Sequence, residues 1–373
     1  MKKMLILSFS DLKRDPRVSK QIDYFAENMH VTTAGYQSSG VIGVTHLSLA
    51  NSSFDWMSKI KYLVFVFLRM YDSALFCMPK IQNALQVLSK NSIEYDFIIA
   101  NDSYAWPIAF RLKGKARMIC DAHEYAPKEF EDSLKWRLLF QKLNYFICRK
   151  YLPLADQVLT VSEGIASEYE KTFKIKRPVV IMNTPRYFDI KPSTVDPQHI
   201  KLIHHGGAIR SRKIENMIEM MNYFDDRFSL NLMLIESDRG YLDELKGIAA
   251  STGKKINFLA PVPMREIVPY ISRFDIGVYI LEPTSFNNRF ALPNKVFEFV
   301  QARLAVAIGP SPEMAAIVKK YDLGWIAEDF SGKKLANAVH LDGDKSITIK
   351  KNNSVRAASS LNSENEFKKY NFF

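Results

Sequence analysis

Four short segments of the sequence carry side chains whose types and spacing could bind an anion or exchange protons. The first contains Asp15, Pro16 and Arg17. Asp15 is well placed to cap a helix, and Pro16 suits the first helical position. A helix N-terminus that opens there, with Arg17 beside it, could bind an anion or an acceptor molecule. The alternative is an ordinary capped helix start with Arg17 in solvent.

A histidine follows a second apolar run. His123 stands between the carboxylates of Asp121 and Glu124, directly after residues 117–120, which predict a strand. An imidazole at the carboxyl end of a strand can exchange protons or donate to a ligand near neutral pH. A histidine that only closes a loop hydrogen bond is the alternative. Four other histidines lack such a setting and are interpreted as structural or surface residues: His30, His46, His199 and His340.

Two glycines and three cations form the third segment. Gly206 and Gly207 allow backbone amides to approach a ligand closely, and an amphipathic helix follows them. A diphosphate would fit between these amides and the cations Arg210, Arg212 and Lys213. The alternative is a glycine turn beside a solvated basic cluster.

The fourth segment lies at the start of a predicted helix. Glu298 comes one helical turn after Asn294 and Lys295, so the three side chains can converge on one side of that helix. A carboxylate in this position suits acceptance of two hydrogen bonds from vicinal hydroxyls, such as those of a ribose. A weak surface ion pair between Lys295 and Glu298 is the alternative. The polar turn before this helix contains Asn288.

These segments require a scaffold that ends several strands at one edge. Short apolar runs alternate with amphipathic stretches in both halves of the chain, which predicts parallel sheets covered by helices. A proline-rich polar stretch separates the halves. We therefore predict two α/β domains whose ligands lie beyond the strand ends and in the cleft between the domains. The predicted boundaries are domains at 1–183 and 200–352, a linker at 184–199, and a C-terminal helix at 353–373 that packs back on the first domain.

Composition excludes several classes of protein. The 373 residues are 47% hydrophobic and 24% charged, which is typical of a globular chain. Three cysteines without C-x-x-C spacing predict neither disulfides nor a metal site, and favour the cytoplasm. The chain has no G-x-G-x-x-G, Walker, G-x-S-x-G or H-E-x-x-H motif, so dehydrogenase, P-loop, hydrolase and zincin functions lose their support.

The net charge of +11 favours anionic partners. Nucleic acid is not expected, because no binding motif or basic stripe interleaved with aromatic residues occurs. Residues 56–76 are strongly apolar and carry Lys59, Lys61 and Arg69 at their flanks. This segment is too short to span a bilayer but could lie in an anionic membrane interface. The alternative is a buried helix, since residues 62–68 are apolar on nearly every face. We favour peripheral attachment to the inner face of the plasma membrane.

The order of the motifs resembles one family over almost the whole chain, the GT-B glycosyltransferases, and within it the retaining group numbered family 4. Residues 15–18 are similar to the D-P-R-V opening of that group, and residues 155–163 resemble its A-D-x-V-x-x-V-S-E segment. Residues 293–306 look like its P-N-K-L-F-E-Y…A-G-x-P-V helix. The loop at 207–213 stands where the family binds the donor diphosphate.

The resemblance implies a fold of two Rossmann-like, doubly wound parallel-sheet domains that face a central cleft. It also implies metal-independent transfer of a sugar, with retention and without a cofactor, from a nucleotide-sugar to a glycan or lipid-linked oligosaccharide in the synthesis of a cell-surface polysaccharide such as capsule or O-antigen. The site residues expected on this basis are His123 as the catalytic histidine near the reacting sugar, Asp15 and Arg17 for the acceptor, and for the donor Gly206, Gly207, Arg210, Arg212, Lys213, Asn288, Asn294, Lys295 and Glu298.

Two positions depart from the family pattern. The family's E-x7-E pair would need a glutamate at position 290, which is Phe290, so Asn288 or a nearby backbone amide would have to replace that contact to the donor sugar. Arg303 stands where the family usually has glycine. A GT-B sugar-nucleotide epimerase and a non-catalytic nucleotide-sugar-binding protein therefore remain as alternatives, the second favoured slightly by the missing glutamate.

Overall fold

The chain divides into two compact units. The computed structural model describes residues 1–370, apart from the side chain of Asp344. Unit 1 comprises Met1–Met182, Ser285–Asn287 and the end of the described chain from Phe367, whereas unit 2 comprises Asn183–Thr284 and Asn288–Glu366. Each unit has its own sheet and core.

Unit 1 is built on a parallel sheet of seven strands. Its strands are β1 (Lys3–Leu7), β2 (His30–Gly35), β3 (Thr45–Ser48), β4 (Phe97–Asn101), β5 (Arg117–Ala122), β6 (Gln157–Thr160) and β7 (Val179–Val180). The helices in this part of the chain are α1 (Pro16–Ala26), α2 (Trp56–Phe67), α3 (Tyr71–Phe76), α4 (Pro79–Ser89), α5 (Trp106–Leu112), α6 (Leu134–Trp136), α7 (Lys142–Tyr151) and α8 (Glu163–Phe173). The strand order is β3-β2-β1-β4-β5-β6-β7.

Unit 2 is built on a parallel sheet of six strands. Its strands are β8 (Ile200–Ala208), β9 (Phe228–Glu236), β10 (Ile256–Leu259), β11 (Ile276–Tyr279), β12 (Ala305–Ile308) and β13 (Gly324–Ile326). The helices from residue 200 onward are α9 (Glu215–Met220), α10 (Tyr241–Ser251), α11 (Ile267–Ile271), α12 (Phe286–Arg289), α13 (Asn294–Gln301), α14 (Pro312–Tyr321), α15 (Gly332–Leu341), α16 (Asp344–Ala358) and α17 (Ser363–Phe367). The strand order is β10-β9-β8-β11-β12-β13.

Alternation of apolar strands and amphipathic helices produces both cores. In unit 1 the apolar side of α1, with Val18, Ile22 and Phe25, joins strand residues such as Met4 and Ile6 in one buried cluster. The strand order reverses between β1 and β4 in unit 1 and between β8 and β11 in unit 2. In sheets of this type ligands bind beyond the carboxyl ends of the strands at such reversals. The prediction of two doubly wound parallel-sheet α/β domains is confirmed.

Close packing fixes helix α13 against the sheet of unit 2. A side chain at Gly277 in β11 would have its Cβ only 2.2 Å from Cγ of Phe299, which projects from α13. Only glycine allows this approach, because real Cβ atoms essentially never come so near another heavy atom. The spacing between α13 and β11 is therefore set by Gly277.

The domain boundaries differ from the predicted ones at the end of the chain. The segment predicted as a linker, residues 184–199, contains neither helix nor strand and belongs to unit 2. Residues 353–366, predicted to pack on the first domain, also belong to unit 2. Of the described residues from 353 onward, only Phe367 and Tyr370 belong to the core of unit 1, where both rings pack against Phe25. The segment predicted as one helix contains instead the end of α16, which stops at Ala358, and the separate helix α17.

Candidate functional site

Three groups meet at the carboxyl end of β8 in unit 2. Gly206 has φ +131°, a backbone conformation that favours glycine. A Cβ at this position would lie 3.3 Å from Nζ of Lys295 and 3.8 Å from Nη1 of Arg212. The 3₁₀ turn Arg210–Arg212 and the first turn of α13 therefore bring two basic side chains beside a partly exposed stretch of backbone.

Lys295 lies in an environment that does not favour its charge. The side chain is buried, and its Nζ lies 4.0 Å from the centroid of the Tyr279 ring. Burial, together with the neighbouring Arg212 guanidinium, lowers the pKa of Lys295 to about 7, although the Glu298 carboxylate acts in the opposite direction. An anion beside Arg212 and Lys295 would reverse this effect. The surroundings of Lys295 are therefore ones in which a nearby anion would favour its charged form.

Glu298 approaches the same turn from the next turn of α13. One of its carboxylate oxygens, Oε2, lies 3.4 Å from Nε2 of His205. Burial and the nearby Lys295 lower the pKa of His205 to about 3, so the imidazole is neutral at physiological pH. The ring of His205 packs edge-on against Phe299. His205 thus joins the cluster, although only its place directly before Gly206 could have indicated this from the sequence.

His204 lies deeper under the turn. Its Nδ1 donates to the carbonyl oxygen of Val278 at 3.0 Å, and its ring stacks on Tyr279. Burial holds the pKa of His204 well below its ordinary value. Its Nε2 is buried and has no hydrogen-bond partner in the described residues. His204 therefore supports the Tyr279 ring that carries Lys295.

Arg210 and Lys213, which are also predicted to bind the nucleotide-sugar, pair with carboxylates of the protein. Lys213 donates to Glu282 at 2.5 Å, and Arg210 forms two hydrogen bonds with Glu244 at 2.6 and 2.5 Å. Both pairs are solvent-exposed. The basic segment therefore divides: the structure brings Arg212 together with Gly206 and Lys295, whereas Arg210 and Lys213 are engaged in surface ion pairs.

Two residues that flank α13, Asn288 and Arg303, bear on the two positions where the sequence departs from the family pattern. Asn288 lies in α12, the short helix before α13, and donates to Oγ1 of Thr284 at 2.8 Å. Arg303 follows α13 with φ +63°, the left-handed conformation that suits a glycine. Its guanidinium is buried and donates to the carbonyl oxygens of Gln301 and Phe188. These bonds stabilise an arginine where the backbone favours glycine.

In unit 1, His123 follows β5 and is held from two directions. Its Nε2 lies 2.9 Å from Oδ1 of Asn101, and its Nδ1 lies 3.4 Å from Oδ2 of Asp102. The backbone amide of His123 also donates to Asp102. A hydrogen-bond acceptor thus faces each ring nitrogen, so the end of β4 fixes the orientation of the imidazole at the end of β5.

Arg17, which is predicted to contact the acceptor, lies buried in unit 1 and pairs with groups of the protein. Its Nε and Nη2 donate to the two carboxylate oxygens of Asp121 at 2.8 and 2.7 Å, and Nη1 donates to the carbonyl oxygen of Ile181 at 2.7 Å. Arg17 is 3% exposed and Asp121 is fully buried. Although burial alone would raise the pKa of Asp121, the Arg17 guanidinium lowers it. Asp15 caps α1 through bonds from the amides of Arg17 and Val18, so this motif holds the fold together.

Part of the sequence matches the model of a known protein family. Residues 42–184 match the sequence model of Glycosyltransferase Family 4. No curated protein shows significant similarity to the sequence.

Similar folds occur among solved structures. HepE of Anabaena, in complex with UDP and glucose, has a TM-score of 0.68 at 13% identity over 97% of this chain and 95% of its own. Sucrose-phosphate synthase of Thermosynechococcus elongatus has 0.72 at 12% identity over 99% and 97%. A TarM variant of S. aureus, in complex with Fondaparinux, alpha-GlcNAc-glycerol and UDP, has 0.70 at 9% identity over 99% of each chain. The chain therefore has the GT-B fold of these structures, and its residues 42–184 match the Glycosyltransferase Family 4 model.

Proposed function

We propose that this protein is a glycosyltransferase that moves a sugar from a nucleotide-sugar to a hydroxyl group of an acceptor. The observation that carries the proposal is the meeting of Arg212 and Lys295 beside the glycine backbone of Gly206. Such a site suits a diphosphate, and HepE, which has a similar fold, has been solved with UDP-glucose.

The charges of the site suit the chemistry of a leaving diphosphate. As the bond to the sugar breaks, negative charge grows on the diphosphate, and fixed positive groups stabilise that charge most in the transition state. Arg212 and Lys295 would supply these groups without a metal ion. Gly206 exposes backbone that lets the phosphates approach closely, and Glu298 would accept hydrogen bonds from the ribose hydroxyls.

The finer features of the reaction are proposals that rest on the resemblance to family 4. They are retention of anomeric configuration by same-face attack, independence from metals and cofactors, and a glycan or lipid-linked acceptor in the synthesis of a surface polysaccharide. His123 is proposed to lie next to the reacting sugar. Its fixed orientation between Asn101 and Asp102 supports a positioning role for the imidazole in unit 1.

A panel of uridine, guanosine and adenosine diphosphate sugars tests the proposal. We expect at least one to bind and to release nucleotide, and we expect Glu298→Gln to lower that rate at least tenfold. Glu219→Gln, an exposed change on α9, is the matched control and should have no effect. Binding without turnover would indicate a non-catalytic binding protein, and recovery of an epimerised sugar would indicate an epimerase. No binding at all would refute the donor site.

We also propose peripheral attachment to an anionic membrane from the cytoplasmic side. Helix α2 exposes one apolar side chain after another, with Trp56 72% and Phe67 86% exposed, and only Tyr62 is buried. The alternative of a fully buried helix is therefore wrong. The other apolar side chains of this exposed surface are Met57, Ile60, Leu63, Val64, Leu68 and Met70.

A neighbouring segment extends the exposed surface of α2. Leu138 and Leu139, in the π-helix Arg137–Gln141, line a hollow of about 460 Å³ together with Leu63 and Phe67. Arg69 and Lys142 stand in its wall. Cations beside exposed apolar side chains are typical of surfaces that bind anionic lipid. Among the described residues no helix is long and apolar enough to cross a bilayer.

Liposome sedimentation tests the membrane proposal. The protein should bind anionic but not neutral vesicles at low salt, and it should be released as ionic strength rises. Replacing Lys59 and Lys61 by glutamate should weaken binding, whereas Lys246→Glu, an exposed change in unit 2, should weaken it much less. Equal binding of the two variants would refute the assignment to α2.

A further inference from the structure

A second polar cluster lies in unit 1, beyond the carboxyl ends of β1 and β4. Lys80, in the first turn of α4, has its Nζ 3.8 Å from the centroid of the Tyr104 ring and 5.4 Å from that of Phe9. Glu129 approaches from the end of the 3₁₀ turn Ala126–Lys128. Each of these side chains keeps a partly exposed surface. Phe9 follows β1 and Tyr104 follows β4, so Lys80 lies with them at the strand reversal of unit 1, and Glu129 is near enough to influence the charge of Lys80.

Lys80 and Glu129 interact electrostatically but do not pair. Within the described residues neither side chain forms a hydrogen bond or an ion pair. Burial lowers the pKa of Lys80 to about 8, although Glu129 and Asp102 oppose the shift. Burial and Asp102 raise the pKa of Glu129 to about 7, although Lys80 opposes that shift. Both side chains keep some solvent-exposed surface, so a ligand could reach them and supply the hydrogen bonds that they lack within the protein.

The cluster continues to the histidine at the end of β5. Asp102, which influences the pKa of both Lys80 and Glu129, also contacts the imidazole of His123 through its carboxylate. A molecule held by Lys80 and Glu129 would therefore lie near the group proposed to stand beside the reacting sugar. This neighbourhood connects the cluster with the acceptor rather than with the nucleotide, whose proposed contacts lie in unit 2.

We propose that Lys80, Tyr104 and Glu129 form a subsite that binds a sugar ring of the acceptor, an inference that rests on the proposed glycosyltransferase function. A carboxylate accepts hydrogen bonds from hydroxyls, an ammonium donates to them, and aromatic rings offer an apolar surface to the C–H groups of a sugar. One cation beside two carboxylates, Glu129 and Asp102, does not favour a phosphate or another anion at this place. The proposed subsite therefore suits the uncharged ring of a sugar better than an anion.

Saturation-transfer NMR with the full chain and four methyl glycosides tests this subsite. The probes are the methyl glycosides of glucose, galactose, mannose and N-acetylglucosamine. We expect at least one to bind, and we expect Glu129→Gln and Lys80→Met each to weaken that binding at least tenfold. The exposed changes Glu94→Gln and Lys90→Met are the matched controls and should leave it unchanged. Circular dichroism of each variant checks that unit 1 remains folded.

Three results would overturn the subsite. They are the absence of binding for all four glycosides, equal affinity in variants and controls, or binding of inorganic phosphate that only Lys80→Met abolishes. A polyprenyl-diphosphate-linked form of the bound sugar distinguishes a lipid-linked from a free acceptor, since its additional affinity should survive both variants.

The proposed function and the subsite can be refuted independently of each other. If no nucleotide-sugar binds the wild-type protein, the donor proposal is wrong whatever the glycosides do. If Glu129→Gln hydrolyses donor at the wild-type rate but transfers to glycoside at least tenfold more slowly, both proposals are supported. If the variant transfers at the wild-type rate, only the subsite is wrong.

Discussion

Each unit contains a buried cation near the carboxyl edge of its sheet, and the two cations differ in their partners. In unit 1, Arg17 meets a buried carboxylate with two-pronged geometry, and Gln21 donates to the same carboxylate. In unit 2, Lys295 meets the guanidinium of Arg212, an aromatic ring and a glycine backbone. The first arrangement has its counter-charge inside the protein. In the second, Glu298 only partly offsets the effects of burial and of Arg212, which is the difference we expect between a structural cation and the cation that we propose to bind a ligand.

We expect the largest change, a loss in the free energy of unfolding, from breaking the Arg17–Asp121 pair in unit 1. Asp121→Asn leaves the buried Arg17 guanidinium without its counter-charge, and breaking such a pair costs about 3–5 kcal/mol. Urea denaturation should show this loss in unit 1. Replacing both residues, as Arg17→Met with Asp121→Leu, should recover part of the stability. A loss below about 1 kcal/mol in Asp121→Asn would show that the pair is not structural.

Replacing Lys295 in unit 2 should raise stability, whereas replacing Asp121 in unit 1 should lower it. Lys295→Met should weaken binding of whichever nucleotide-sugar binds by about 1.5–3 kcal/mol, the contribution of one charged hydrogen bond. It should also raise the midpoint of thermal unfolding, because the amine titrates near 7 in the folded chain and at its ordinary 10.5 when unfolded. The free-energy cost of burying the charged amine is greatest below pH 7 and shrinks as the pH rises toward 10.5. Loss of both affinity and stability would argue for a structural lysine.

The pH dependence of donor binding sharpens the comparison. A bound diphosphate stabilises the charged form of Lys295, so binding above pH 7 takes up a proton. Titration calorimetry should show affinity that falls by up to about tenfold per pH unit as pH rises above 7. Lys295→Arg, which stays charged, should remove most of this slope. The same slope in both proteins would exclude Lys295 as its source.

The smallest expected effect separates the cations of the basic segment. Lys213→Ala breaks an exposed pair with Glu282 and should change donor affinity by less than about 1 kcal/mol. Arg212→Ala should cost about 1.5–3 kcal/mol, because its guanidinium lies beside Gly206 and Lys295. Fluorescence titration of the two variants in parallel gives both values. A larger loss in Lys213→Ala would restore the sequence-based assignment of this lysine to the diphosphate.

The sequence predicted the sheets and the positions of the motifs, because both follow from local periodicity and from residues close together in the chain. It did not predict the partner of each charge. Arg17 pairs with Asp121, 104 residues later, and Arg210 with Glu244, 34 residues later. Such choices depend on which strands become neighbours. The exposure of α2 was equally ambiguous, since an apolar helix suits a core and a membrane surface alike.

The absence of a side chain at Gly277 determines how several other residues pack. The α13 helix lies against β11 at the distance that this residue allows, and Phe299 fills the space where any other side chain would begin. Phe299 also packs against His205, the neighbour of Gly206, while α13 carries Lys295 and Glu298. One added methyl group at position 277 would push on all of these together. The alignment of the proposed donor site thus depends on a position that contributes no functional group, and where we expect substitutions to be excluded for geometry alone.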